Sequence, residues 1–191
     1  MRLLDAAVEA LSAWRAPTAT QDELRRGYLA HLAAHPDGIW KHGPPAHLTA
    51  SCAVLDPAGE RVLLTHHAKG GVWVQFGGHL EPGDADLAAA ALREAREESG
   101  VADVVLVPGG PVDLDRHALS AAFGRCREHL DVLYAGVAPA GAVPVVSDES
   151  HDVAWWPLDA LPAGVVADLP PRLGRVVAAV RGYADAASSA R

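Results

Sequence analysis

Apolar residues recur along this chain with two periods, one helical and one alternating, and the change between them divides it into zones. The first stretch has helical spacing over residues 3–15, and Pro17 ends it. Thr20 and Glu23 form a capping-box pattern that predicts a second helix carrying Leu24, Tyr28, Leu29 and Leu32. His35-Pro36-Asp37-Gly38 then stops it, and residues 38–46 read as loop. From residue 47 the pattern becomes strand-like. LTASCAVL and RVLLTHH, separated by the Pro57-Ala58-Gly59-Glu60 turn, predict a hairpin. VWVQF predicts a short third strand, and VADVVLVP, HLDVLYAGVA and HDVAWWPL predict later ones. Helical periodicity returns at residues 85–99, the clearest helix in the chain, and at 170–186, where Pro171 sits in the first turn. The expected organisation is a helical appendage and linker at residues 1–46, a mixed α/β domain at 47–186 and a frayed tail at 187–191.

Composition narrows the functional classes. At 191 residues the chain suits one ordinary domain plus an appendage. Sixteen basic against 24 acidic residues, a formal −8, argues against a nucleic-acid coat, which needs a basic field. An anionic substrate would need a metal or local cations to offset its charge. The only lysines are Lys41 and Lys69. No stretch reaches the roughly 20 apolar residues of a membrane span, so no membrane partner is expected. The N-terminal apolar run is interrupted by acidic residues, unlike a signal peptide, and the chain reads as cytoplasmic. Cys52 and Cys126 are far apart and outside any CxxC spacing, so both read as reduced thiols.

The chemistry concentrates in residues 77–101, GGHLEPGDADLAAAALREAREESGV. Asp84 is placed to cap the helix, Asp86 puts negative charge in its first turn, and Gly100 follows as a C′ glycine would. At about 100° per residue, Ala88, Ala91, Leu92, Ala95 and Ser99 share the stripe that packs on a sheet. Glu94, Glu97 and Glu98 share the adjacent stripe, at i, i+3 and i+4. Like charges so spaced repel, and a hard divalent cation resolves the conflict, because Mg²⁺ and Mn²⁺ prefer carboxylate oxygen.

The segment resembles the signature box of the Nudix hydrolases. Gly78 matches that box's opening glycine, and Arg93, Glu94, Ala95, Glu97, Glu98, Gly100 and Val101 match its second half. The chain departs from it at Asp84, where the family has glutamate, and in having eight residues rather than seven between that position and Arg93. Phe76 replaces the usual proline before the glycine pair. The resemblance extends with low specificity over residues 47–182. It implies an α/β/α sandwich with a mixed sheet, here with added N-terminal helices.

The resemblance also implies metal-dependent cleavage of a diphosphate linkage in a nucleoside-diphosphate derivative, by water attack at phosphorus. Glu94, Glu97, Glu98 and the Gly78 carbonyl would hold Mg²⁺ or Mn²⁺, and Arg93 would orient Glu97. Glu149, between two predicted strands, is the loop candidate for the base. Lys69, His79 and Arg127 are candidate substrate contacts. Asp131 lies two residues from His129 on the same strand face. Trp40, Trp73, Trp155 and Trp156 fit core packing better than base stacking. Two other readings stand beside hydrolysis. One is an isopentenyl-diphosphate-isomerase-like protein, which shares the Gly-His turn but uses a cysteine where Gly77 stands. The other is a non-catalytic ligand sensor or interaction module on the same fold. In either case the N-terminal helices, outside the catalytic core, are expected to cover the domain or to build a homodimer.

Overall fold

The computed structural model describes residues 2–120, 124–147 and 150–189. Helices α1 (Leu3–Ala13) and α2 (Ala19–Ala34) precede strands β1 (Ala46–Leu55), β2 (Arg61–His67), β3 (Val72–Val74) and β4 (Phe76–His79). Helix α3 (Leu87–Ser99) follows, then β5 (Val105–Leu106), β6 (Asp113–Ala118), β7 (Glu128–Val137), β8 (Ser150–Pro157) and α4 (Leu169–Ser189).

Strand β1 is the spine of a curled mixed sheet. Along one edge it runs parallel to β7, from Ala46 opposite Glu128 to Leu55 opposite Val137. Its other edge is shared: β4 pairs antiparallel with Thr49–Cys52, and β2 with Val54 and Leu55. β3 and β8 extend the sheet from β2, while β5 and β6 extend it from β7. Every β1 residue except Ala46 is buried, so both faces of this strand must be covered.

Alternation along β1 sorts its side chains into two environments. Leu48, Ala50, Cys52 and Val54 join a core with residues of α1, α2 and α3. On the opposite face Ala53 and Leu55 join a second core with Leu169, Leu173, Val176 and Val180 of α4. Between these apolar regions, His47, Thr49 and Ser51 are buried polar residues on that second face. The layers are therefore helix, sheet, helix, with a polar strip embedded at one end of the sheet.

The N-terminal helices complete the first core. Leu11, Tyr28 and Leu32 are buried in the same cluster as Phe76 and Leu87. The apolar stripes of α1 and α2 thus find their burial within the chain. Gln21 acts as a one-residue strand, its amide nitrogen donating to the Leu114 carbonyl (2.9 Å) and its oxygen accepting from the Leu114 N–H (2.7 Å). Gln21→Ala leaves both β6 backbone groups without that partner, and the expected cost is about 1–3 kcal/mol. Urea unfolding measures it; a midpoint equal to wild type would show that water replaces the amide.

Several boundaries differ from those the sequence predicts. Thr18, not Thr20, caps α2, accepting from the Gln21 N–H at 3.2 Å. VWVQF divides into β3 and β4 at Gln75. The predicted VADVVLVP strand shrinks to the two residues of β5. β6 has no counterpart among the predicted strands; its alternating Asp113, Asp115 and His117 hide the apolar signal because this edge of the sheet faces the polar strip. The C-terminal helix runs on through Ser189, so the expected frayed tail is helical at residues 187–189.

Candidate active site

The turn before α3 places the helix and its charges. Asp84 accepts from the Glu81 N–H (2.7 Å), which closes the turn, and is not the helix cap. Asp86 takes that role, accepting from the Ala89 N–H at 2.8 Å. The extra residue in this segment therefore separates two tasks, closing the turn and capping the helix. Asp84 also receives the Arg93 guanidinium through Nε (3.0 Å) and Nη2 (3.1 Å). Gly100, at φ 67°, ends α3 in the left-handed conformation that glycine adopts without strain.

Arg93 is the hub of the patch. Its Nη2 donates to the His79 carbonyl (3.1 Å), tying α3 to the end of β4. Its Nη1 donates to Glu94 Oε1 (3.0 Å) and Glu97 Oε2 (3.2 Å), so two of the three box carboxylates share one cation. The hydrogen bonds it donates to Asp84, with the Glu94 charge, hold the guanidinium pKa above its ordinary value. Glu98 reaches the sheet instead and accepts from the Gly77 N–H at 3.3 Å.

The glycine pair has a steric reason. A Cβ on Gly78 would lie 2.5 Å from Glu94 Oε1, and one on Gly77 would lie 2.5 Å from the Ser51 Cβ. β4 thus brings bare backbone against a carboxylate on one face and against β1 on the other. Glu94 is nearly buried, with 14% of its side chain exposed, whereas Glu97 is 62% exposed. The three carboxylates border an open cavity of about 790 Å³, together with Lys41, Lys69, Gly78, His79, Arg93 and His129. Both lysines of this lysine-poor chain line that cavity.

Most of the residues singled out in the sequence come together here. Glu94, Glu97, Glu98, Arg93, Gly78, Lys69 and His79 all line the cavity. Arg127 does not; it is exposed in the lead-in to β7, where its backbone N–H donates to the Pro45 carbonyl at 2.9 Å. Glu149 lies outside the described residues. Trp73 and Trp156 meet edge to face at 5.4 Å and pack against the second core.

Sequence reading missed a histidine cluster beside the cavity. Strand register places His47 opposite His129, and His129 opposite His117. His79 stands opposite Thr49, two residues along β1 from His47 and on the same face. The signal was present as polar alternation in HLTAS, DLDRH and EHLD, but pairing those segments needs the topology. Burial pushes His129 down to about 3, reinforced by His79, His117, His47 and Lys41. Burial likewise pushes His79 down to about 4, with Lys41 and His47 adding to it. His117 moves the other way, raised chiefly by its hydrogen bond to Asp115.

These shifts predict an acid sensitivity. Unfolded histidine titrates near 6.5, so between that value and about 3–4 the unfolded chain binds protons that folded His79 and His129 refuse. Stability from these two is fully present above about pH 6.5 and is lost as pH falls. His117 contributes with the opposite sign. Chelator-treated protein is expected to melt at a lower temperature on going from about pH 7 to about pH 5. His129→Gln should flatten that dependence; equal slopes for the variant and wild type would reject the buried neutral histidines as its source.

Residues 45–180 match the family model described as NUDIX domain. The chain belongs to the Nudix family of pyrophosphohydrolases. Solved structures carry the same fold at low identity. A NUDIX-family hydrolase from Clostridium perfringens is 20% identical with a TM-score of 0.56, the match covering 71% of this chain and 96% of that one. A C. elegans Ap4A hydrolase is 19% identical with a TM-score of 0.55, over 71% of this chain and 98% of that one. The E. coli dihydroneopterin triphosphate pyrophosphohydrolase is 14% identical with a TM-score of 0.56, over 69% and 94%. A search of curated proteins finds no match. Among the described residues no helix is long and apolar enough to cross a membrane.

Proposed function

We propose that this protein hydrolyses a diphosphate linkage in a nucleoside-diphosphate derivative, using Mg²⁺ or Mn²⁺ held by Glu94, Glu97 and Glu98. The observation that carries the reading is the assembly of these carboxylates around one guanidinium and one glycine strand, on a cavity that also holds both lysines. The donor set fits the ion. It is all oxygen, it carries more negative charge than Arg93 offsets, and Gly78 leaves room for a carboxylate where any other residue would displace it. The Gly78 carbonyl would supply a further oxygen ligand from the strand that lines the same cavity. A divalent ion bound there would polarise phosphoryl oxygens and lower the pKa of attacking water.

The chain's own residues do the rest. Arg93 holds Glu94 and Glu97 in place, and Asp84 holds Arg93 in turn. Lys41 and Lys69 supply positive charge at the cavity wall, where a substrate diphosphate needs its charge offset in a chain of net −8. The three-carboxylate box is intact, which favours hydrolysis over a ligand sensor, and Gly77 leaves no thiol where the isomerase chemistry would need one.

The test is a hydrolysis screen over nucleoside-diphosphate derivatives with Mg²⁺ or Mn²⁺ in isotopically heavy water. Heavy oxygen on a phosphate product supports the reading and identifies the attacked phosphorus. Conversion of an allylic diphosphate to its isomer with no phosphate product, or binding without turnover, overturns it.

A further inference from the structure

We propose that His47, His79, Cys126 and His129 form a second cation site, distinct from the α3 carboxylates, that binds one borderline-soft divalent ion of the zinc class. The candidate ligand atoms of these four residues all lie within 4.8 Å of one another. Three strands and one loop supply them: His47 from β1, His79 from the end of β4, His129 from β7, and Cys126 from the segment entering β7. The imidazole centroids are 5.1 Å apart for His47 and His79, 5.3 Å for His47 and His129, and 5.2 Å for His79 and His129. Cys126 Sγ lies 4.0 Å from His79 Nε2.

Hydrogen bonding inside the cluster is incomplete in a way that points to a ligand. His47 is 0% exposed, and its Nδ1 lies 3.0 Å from the Pro44 carbonyl. A carbonyl only accepts, so Nδ1 carries the proton and Nε2 is left with a bare lone pair. Among the described residues that Nε2 is buried without a hydrogen-bond partner, and so is His129 Nε2. Buried polar atoms are rarely left so, because each costs its full desolvation penalty. A ring that donates one nitrogen to a backbone carbonyl and keeps the other available to a ligand is arranged as metal-bound imidazoles are. No carboxylate is among the four, so none of them supplies a counter-charge for a protonated imidazole.

The donor set selects the ion. Three nitrogens and one sulfur suit zinc in a tetrahedral site and suit Mg²⁺ poorly. Ideal bonds of about 2.0–2.1 Å to nitrogen and about 2.3 Å to sulfur put donors roughly 3.3–3.8 Å apart. The cluster therefore needs to contract by about an ångström at its longest separation. Cys126 would bind as thiolate, releasing its proton to solvent and bringing negative charge to a place where Lys41 is near. The ion would tie β1, β4 and β7 together at the strand end whose His79 carbonyl accepts from Arg93. Its role is to brace the wall shared with the proposed catalytic cavity, and its existence does not depend on what that cavity hydrolyses.

Cobalt titration of the chelator-stripped full-length protein tests this. A single equivalent of Co²⁺ should give a thiolate-to-metal charge-transfer band in the near ultraviolet and the intense visible bands of four-coordinate cobalt, and Zn²⁺ should abolish both. Cys126→Ser should remove the charge-transfer band, and His129→Gln should weaken binding by about tenfold or more. A Glu97→Gln/Glu98→Gln variant should keep the whole spectrum, which separates this site from the α3 patch. Zn²⁺ should also slow alkylation of Cys126 in the wild-type protein, where Cys52 is fully buried and silent. The proposal is overturned if Cys126→Ser leaves the cobalt spectrum unchanged, if only weak six-coordinate bands appear and vanish in the glutamate variant, or if Zn²⁺ has no effect on Cys126 alkylation.

Discussion

Glu98→Gln is expected to cut the metal-dependent hydrolysis rate by about a hundredfold or more while leaving the protein folded. Glutamine keeps the size and can still accept from the Gly77 N–H, so the 3.3 Å contact to β4 can survive. What it removes is a negative oxygen at the inner edge of the patch, where Glu98 is buried and solvent does little to replace the lost charge. Glu97→Gln should be comparably damaging by a different route. Its side chain is 62% exposed, so its loss leaves packing untouched. It also removes one of the carboxylates that share Arg93 Nη1, which strengthens the cation's hold on Glu94. Glu94→Gln should harm activity too, through the carboxylate wedged against Gly78. Turnover against a nucleoside-diphosphate derivative, read beside metal affinity by calorimetry, checks all three. If Glu97→Gln and Glu98→Gln both kept wild-type rate and affinity, the metal would have to be held elsewhere.

What could be read beforehand, and what could not, follows from the range of each interaction. The three glutamates were legible because a helix fixes their geometry within five residues, independent of tertiary structure. Arg93 was legible as a partner of Glu97 for the same reason. Its contacts to Asp84 and the His79 carbonyl cross a turn, and they correct the reading of Asp84 as a cap. The β1–β2 hairpin was legible from its turn and its alternation. β6 was not, because its buried positions include Asp113, which needs arginines from α4, nearly sixty residues away, to be tolerated there. The histidine cluster was invisible for the related reason that β1 and β7 pair in parallel across a long connection. Four residues that appear unrelated in order become neighbours only through that register.

The N-terminal helices show the same limit. Their amphipathic spacing predicted that a face needed covering, but not what would cover it. The partner turns out to be the chain's own first core, with Tyr28 Oη donating to the Asp115 carbonyl at 2.5 Å. The appended zone is thereby coupled to β6 and, through β6, to the polar strip that contains the histidines.

Arg172→Met is expected to be the most destabilising single change outside the patch, by about 3–5 kcal/mol. Arg172 has only 4% of its side chain exposed and donates from α4 to Asp113 Oδ1 (2.8 Å) and Asp131 Oδ2 (3.0 Å), both buried. Asp131 in turn accepts from Thr49 (3.1 Å) and Ser51 (2.6 Å), so one guanidinium bridges a network spanning β1, β6 and β7. Methionine fills much of the volume but leaves two carboxylates with Arg175, beside Asp113, as the remaining arginine contact. Burial already raises the Asp113 pKa against the pull of Arg172 and Arg175, and losing Arg172 raises it further. The sign of the pH dependence follows. In the variant, folded Asp113 holds its proton to higher pH than the unfolded chain does, so acidification stabilises the folded state at that site. The gap between wild type and Arg172→Met should therefore narrow as pH falls from neutrality toward about 5. Asp113→Asn in the same background should recover part of the loss at neutral pH. Denaturant midpoints across that range decide it: a gap that stays constant or widens on acidification would mean that the penalty comes from lost packing of α4 rather than from stranded charge.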